Sequence, residues 1–247
     1  MGLVSRFVSS LRAGAVLPSP NIWQWPEVYE AENRAQDVDG AVWAALEPLA
    51  DWTGDVLDVG CGDGFHLPRF AARARSVLGV EPHPPLVGRA AARVADLPGV
   101  SVLPGSAQDL PVADSSVDVV HARTAYFFGP GCQPGLREAD RVLRPGGALV
   151  VVDLDGRHEP YGRWLRADLP SYRPAEVDRF FEIEGFSRTR VTTTWRFPDR
   201  PTLEAVLRIE FSRAVAERAA AEVAGLAFPV GYRVLSRRKP RGLVVGR

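Results

Sequence analysis

From Asp55 onward, short runs in which nearly every position is apolar alternate with stretches whose apolar residues recur every three or four places. The short runs are Val56 to Val59, Ser76 to Val80, Val100 to Leu103, Val117 to His121 and Ala148 to Asp153. Strands apolar on successive positions are buried on both faces, as in parallel sheets layered between helices. The helical spacing falls at Leu67 to Arg75, Pro84 to Ala95 and Pro134 to Leu143, the last stopped by Arg144-Pro145-Gly146-Gly147. This alternation predicts a parallel sheet with helices on both faces. After Asp153 the pattern changes: Pro174 to Glu184 reads as a helix, Phe186 to Phe197 as a long strand, Thr202 to Ala224 as a helix and Leu226 to Ser236 as a final strand. Two late strands bracketing a helix predict a Rossmann-like α/β fold whose seven-stranded, mostly parallel sheet takes its last strand antiparallel.

Ahead of the sheet the pattern differs. The stretch Pro18 to Pro26 is rigid and aromatic, with Trp23 and Trp25, and Asp37 to Leu49 reads as a helix with Val42, Trp43, Leu46 and Leu49 on one side. We expect residues 1–50 to form a leader and helical cap over the open end of the sheet, and residues 51–247 to form the main domain, the whole being one structural unit. Composition changes this picture little. With 30 basic and 30 acidic residues, no global field draws the chain to nucleic acid or anionic membranes. Arg237-Arg238-Lys239 with Arg241 is the one compact basic cluster. No run approaches the length of about 18 apolar residues that a membrane span needs. Arg12 interrupts the apolar Met1 to Leu17 stretch, and Ser5 stands one place too early for a myristoylation signal. Cys61 and Cys132 are too few for a disulfide framework, so a reduced, soluble, cytoplasmic protein is expected.

The chemistry is concentrated in Val56-Leu57-Asp58-Val59-Gly60-Cys61-Gly62-Asp63-Gly64-Phe65. A strand empties into a turn of three glycines, which let the backbone approach a ligand and offer it amide groups. Phe65 stands where the dinucleotide fingerprint G-x-G-x-x-G requires glycine, which argues against a nicotinamide cofactor. Asp58 would repel a phosphate but suits an ammonium group. Glu81, at the end of the second strand, suits the hydroxyls of a ribose. Together these select a ligand with an amino-acid tail and a free ribose.

This run, followed by Gly79-Val80-Glu81-Pro82, Gly105 to Pro111, Ser116 to Val120 and Glu138 to Gly147, resembles the class I methyltransferases that use S-adenosylmethionine (SAM), of the small-molecule type 11 family. The resemblance implies a SAM cofactor, with Asp58, Gly60, Cys61 and Gly62 around its methionine part and Glu81 and Pro82 at its ribose. It also implies Ser106, Ala107 and Gln108 along the adenine, although many relatives carry aspartate where Ser106 stands, and the His121 backbone near the sulfonium. The implied activity is transfer of a methyl group to a small-molecule acceptor, with no metal and with a monomer or homodimer as the acting form.

A proton-accepting group is harder to place. His121 ends the fourth strand, where active sites of open α/β sheets lie, so its imidazole is a candidate base. Arg123 and Tyr126, in the loop that follows, are candidate acceptor contacts, as are Trp23, Trp25 and Tyr29 near the start and the stretch from Asp153 to Trp164. Other functions fit less well: a SAM-binding regulatory or scaffolding protein, an RNA or protein methyltransferase, or an oxidoreductase. His121-Ala122-Arg123-Thr124 is not the Asn/Asp-Pro-Pro-aromatic tetrad of amino-methylating DNA enzymes.

Overall fold

A computed structural model describes residues 19–125 and 129–242. The apolar runs form strands β1 (Asp55–Val59), β2 (Ser76–Glu81), β3 (Val100–Pro104), β4 (Val117–Arg123) and β5 (Leu143–Leu154), followed by β6 (Ser187–Arg196) and β7 (Ala227–Arg238). They assemble in the order β3-β2-β1-β4-β5-β7-β6. β1 to β5 are parallel, and β7 is inserted antiparallel between β5 and β6, as expected. The carboxyl ends of β1, β2 and β4 therefore lie side by side at one edge, with the glycine turn among them.

The helices are α1 (Pro20–Gln24), α2 (Pro26–Ala35), α3 (Ala41–Leu46), α4 (Leu67–Ala71), α5 (Pro84–Arg93), α6 (Gln133–Val142), α7 (Tyr161–Asp168), α8 (Pro174–Ile183), α9 (Arg200–Glu210) and α10 (Arg213–Glu222). The core is the near-continuous apolar interior of β1, β4, β5 and β7, with Leu57, Val120, Val151 and Leu235 fully buried.

The structure corrects the sequence reading in places that shape the site. The aromatic stretch before Asp37 is helical: prolines at the first positions of α1 and α2 leave no N–H that would want a partner there, so they start helices and do not prevent them. The helix expected over Asp37 to Leu49 is shorter, because the Asp37 carboxylate accepts from the amides of Val42 and Trp43 (2.9 and 3.2 Å) and caps α3 from outside. The helix over Thr202 to Ala224 is broken in two where Phe211 turns extended and the Ser212 amide donates to Asp168 (2.9 Å). That break leaves Glu210 at the end of α9. The helix α7 was not foreseen; it is held by Trp164 Nε1 donating to Glu222 (2.7 Å). The expected leader, Met1 to Leu17, lies outside the described residues.

Charged motifs at the far end of the sheet have a structural role. Asp118 accepts from the Asp55 amide (2.8 Å), and Arg75 and Arg144 bridge both aspartates. A cavity of about 590 Å³ lies there, opposite the glycine turn, and its Arg75 and Arg144 are spent on these pairs. The Glu138 to Gly147 motif acts at a distance from the turn: Arg141 donates to the carbonyls of Leu110 and Val112 (2.9 and 2.7 Å), and Glu138 accepts from the Leu110 amide (2.9 Å), pinning the segment after β3.

Candidate functional site

The glycine turn hangs from β2: the amides of Gly60 and Cys61 both donate to the Val80 carbonyl, at 2.8 and 3.2 Å. Gly60, Gly62 and Gly64 all have positive φ, which side-chain-bearing residues rarely adopt. Helix α4 starts only at Leu67, so the turn is a free-standing loop of backbone groups and not a helix's first turn. Glu81 faces it. Its carboxylate accepts from the Gly62 amide (3.1 Å) and the His83 amide (3.0 Å), and burial pushes its pKa up. Each oxygen keeps lone pairs for further donors, as two adjacent hydroxyls would require. Pro82 is half-buried between Glu81 and His83.

Asp58 is buried and pairs with His121: register sets the two side by side on β1 and β4, and Asp58 Oδ1 lies 2.7 Å from His121 Nδ1. A carboxylate can only accept, so Nδ1 carries the hydrogen. The His121 side chain is 0 % exposed, walled by Phe70 (ring centroids 4.9 Å), Trp52 (6.3 Å) and Trp43 (6.5 Å), and its Nε2 has no partner. His66, half-buried beside Trp43, is held well below its ordinary pKa, first by burial and then by nearby Arg123. The His121 imidazole is closed off from the loop cluster above. The Cys61 thiol is pushed up by burial, which leaves it an inert thiol beside Gly62.

Ser106, Ala107 and Gln108 form a half-buried turn after β3: the Asp109 amide donates to the Ser106 carbonyl (3.1 Å), and the Gly105 amide donates to the Glu81 carbonyl (3.2 Å). The structure thus brings this turn next to Glu81. Arg123, at the end of β4, donates to Gln36 Oε1 (2.7 Å) and lies 5.1 Å from the Tyr232 ring centroid. Tyr126 lies outside the described residues.

The N-terminal helices reach the same place. A Cβ built on Gly62 would stand 2.8 Å from Ile22 Cδ1, so α1 is seated directly on the loop. Trp23 stacks on His83, with ring centroids 4.4 Å apart and planes 8° from parallel. Trp25 is 51 % exposed. Ion pairs of α2 with α5, Glu27 to Arg89 (2.8 Å) and Glu30 to Arg93 (2.9 Å), hold the cap, and Arg93 also grips Asp63 within the loop (2.8 Å).

Sequence reasoning named Arg123 and the stretch holding Tyr161 but missed the glutamates of a polar cluster beneath this cap. Glu32 of α2, Gln36 just after it, Glu210 of α9 and Tyr161 of α7 converge on Asn21 and Arg123. A signal was present: α2 reads Pro-Glu-Val-Tyr-Glu-Ala-Glu-Asn-Arg-Ala, and its positions Tyr29, Glu32 and Asn33 share a face at helical spacing. Glu32 and Asn33 are buried, so the helix turns a polar face inward. Among the described residues, no group of three or more His, Cys, Asp or Glu side chains could hold a metal, and no helix is long and apolar enough to cross a membrane.

The comparisons with known proteins agree with this geometry. The family model described as "Methyltransferase domain" matches residues 57–151. The chain is 36% identical over 123 residues to an uncharacterized methyltransferase of Synechocystis sp., covering 49% of this chain and 55% of that protein. It is 35% identical over 117 residues to a tRNA U34 carboxymethyltransferase of Syntrophotalea carbinolica, covering 45% of this chain and 36% of that one. The chain thus spans about half or less of the length of these relatives. Among solved structures, a SAM-dependent methyltransferase of Thermotoga maritima, titled a possible histamine N-methyltransferase, superposes with a TM-score of 0.58 at 20% identity, covering 90% of this chain and 99% of that one. Through the stretch centred on its glycine turn, residues 57–151, the chain matches a methyltransferase domain, and it shares the fold of the solved SAM-dependent methyltransferase.

Proposed function

We propose that this protein transfers a methyl group from SAM to a small-molecule acceptor in the cytoplasm. The observation that carries the reading is the pairing of a backbone cradle with two buried carboxylates of separate duties, Asp58 at the start of the turn and Glu81 across it. Bound SAM supplies an electrophilic methyl on a sulfonium.

In this reading Asp58 takes the donor's ammonium and Glu81 its ribose hydroxyls, while Ser106, Ala107 and Gln108 border its base. His121 then positions Asp58: its Nδ1–H fixes the carboxylate's orientation, and its closed aromatic box keeps it from the acceptor. Ile22 and Trp23 close the loop from above and exclude water, which matters because displacement at a methyl carbon is governed by approach geometry and desolvation.

A small acceptor is favoured over RNA by where the basic residues sit. Arg237 is tied to Asp140 (2.7 Å), and Lys239 Nζ donates to the carbonyls of Asp140 and Leu143 (both 2.7 Å). The end of β7 that carries them pairs with Ala148, at the edge of the sheet opposite the glycine turn.

The test is transfer of labelled methyl from SAM into the small-molecule and the RNA fractions of a cell extract. Label is expected in the small-molecule fraction with the wild type and in neither with Gly62→Val, whose side chain would need both a positive φ and the space of Ile22. Label confined to RNA, or undiminished label with Gly62→Val, would contradict the reading.

A further inference from the structure

Building on the methyltransferase reading, we infer that the acceptor presents a protonated amine, and that Glu32 and Glu210 form the site that receives it. Glu32 is 3 % exposed; its Oε1 accepts from Gln36 Nε2 (2.7 Å), whereas Oε2 is buried with no hydrogen-bond partner. The Glu210 carboxylate faces it, accepting from Asn21 Nδ2 (2.9 Å) and from the Tyr161 hydroxyl. The cation bearing on the pair is Arg123, which reaches it through Gln36 and leaves its own buried Nη1 without a partner. The cluster therefore holds a buried acceptor, Glu32 Oε2, that no donor within it reaches.

Charge accounting names the missing group. Two carboxylates against one guanidinium balance only when one carboxylate keeps a proton or when a second cation enters. Burial, followed by the neighbouring Glu210, raises the Glu32 pKa well above the ordinary range, which favours its protonated form without ligand. An ammonium can replace that proton and take the free Oε2. A hydroxyl acceptor brings no charge to replace that proton, and a carboxylate would add a third negative charge. Three rings border the cluster: Tyr29, whose hydroxyl is pushed up by burial and by both glutamates, Tyr161, and Tyr232 beneath Arg123. Aromatic faces beside carboxylates suit a cation.

Position agrees with this role. Arg123 ends β4, and two residues later Ala125 lies against Gly60, a Cβ on which would meet Ala125 Cβ at 3.3 Å. Asn21, which holds Glu210, immediately precedes the Ile22 that covers Gly62. The pair therefore adjoins the donor loop, at the carboxyl ends of the strands.

Calorimetry with three probes matched in size, phenethylamine, 2-phenylethanol and 3-phenylpropionate, tests the inference on the full chain in two buffers of different ionisation enthalpy. The amine should bind at least about tenfold more tightly than the alcohol and release a proton on binding, as expected when a charge-assisted contact replaces the proton on Glu32. Glu32→Gln and Glu210→Gln, which preserve shape, should each abolish the preference, and Glu32→Gln should leave the Kd for SAM unchanged. Absence of an amine preference in the wild type, including no binding of any probe, or a preference retained in both variants, would overturn it. The SAM titration on the same preparations separates the two readings. Wild-type protein that binds no SAM defeats the methyltransferase reading, whereas intact SAM binding without amine preference defeats only this one.

Discussion

At the scale of single residues, the most consequential finding is that His121 serves Asp58. The two face each other because β1 and β4 are in register at Asp58 and His121, and the rings of Trp43, Trp52 and Phe70 shut the imidazole away from solvent. His121→Phe should therefore act on donor binding: losing a hydrogen bond to a charged group costs about 1.5–3 kcal/mol, so the Kd for SAM should rise roughly 10- to 100-fold. His121→Asn, which can still donate to Asp58, should restore much of it. If His121 were instead the base, kcat would fall about 10²- to 10⁴-fold with the Kd unmoved and the pH profile altered. The proposed donor side was readable from the sequence because its residues are fixed by chain-local chemistry: Asp58, Gly62 and Glu81 sit within or next to strands whose ends converge. Of the proposed acceptor side, Tyr161 fell within the stretch read from the sequence, whereas Glu32 and Glu210 did not, because they come from helices whose meeting is set by tertiary packing.

At the scale of elements, α1 stands out for its size and position. Five residues long, it is too short to be stable alone and depends on what it touches: Asn21 on Glu210, Ile22 on Gly62 and Trp23 on His83. Trp23→Ala removes a stacked pair worth about 0.5–1.5 kcal/mol, so the Kd for SAM should rise a few-fold. A titration with unchanged Kd would show that α1 seats on the loop without bearing on the donor. The strands were legible because period and burial act on them together, as in the fully apolar run from Leu149 to Val152. The helices were read less well wherever side chains from elsewhere set their ends, as Asp168 does at Ser212 and Asp37 does for α3.

At the scale of the whole molecule, stability carries a signature of one buried carboxyl. Asp153, at the carboxyl end of β5, is fully enclosed with neither oxygen hydrogen-bonded, and burial raises its pKa to about 6 despite Arg233 at 3.7 Å. Because its pKa is about 3.9 when unfolded, the folded protein holds the proton more tightly between the two values. The contribution of Asp153 to stability is therefore whole below about pH 4 and is lost as pH rises through about 6, amounting to as much as about 3 kcal/mol. Asp153→Asn should remove that dependence, and parallel urea titrations of both proteins at pH 4 and pH 7 would read the difference; identical slopes would exclude it. The sheet order brings Asp58, Gly62 and Glu81 to one edge and leaves the paired arginines and aspartates at the other, so donor binding is what the architecture as a whole predicts. Calorimetric titration of SAM into the wild type and Glu81→Ala tests that most directly. Saturable one-to-one binding by the wild type, weakened at least about tenfold in Glu81→Ala, is the predicted result. Equal affinity in the two proteins, or no binding by the wild type, would contradict it.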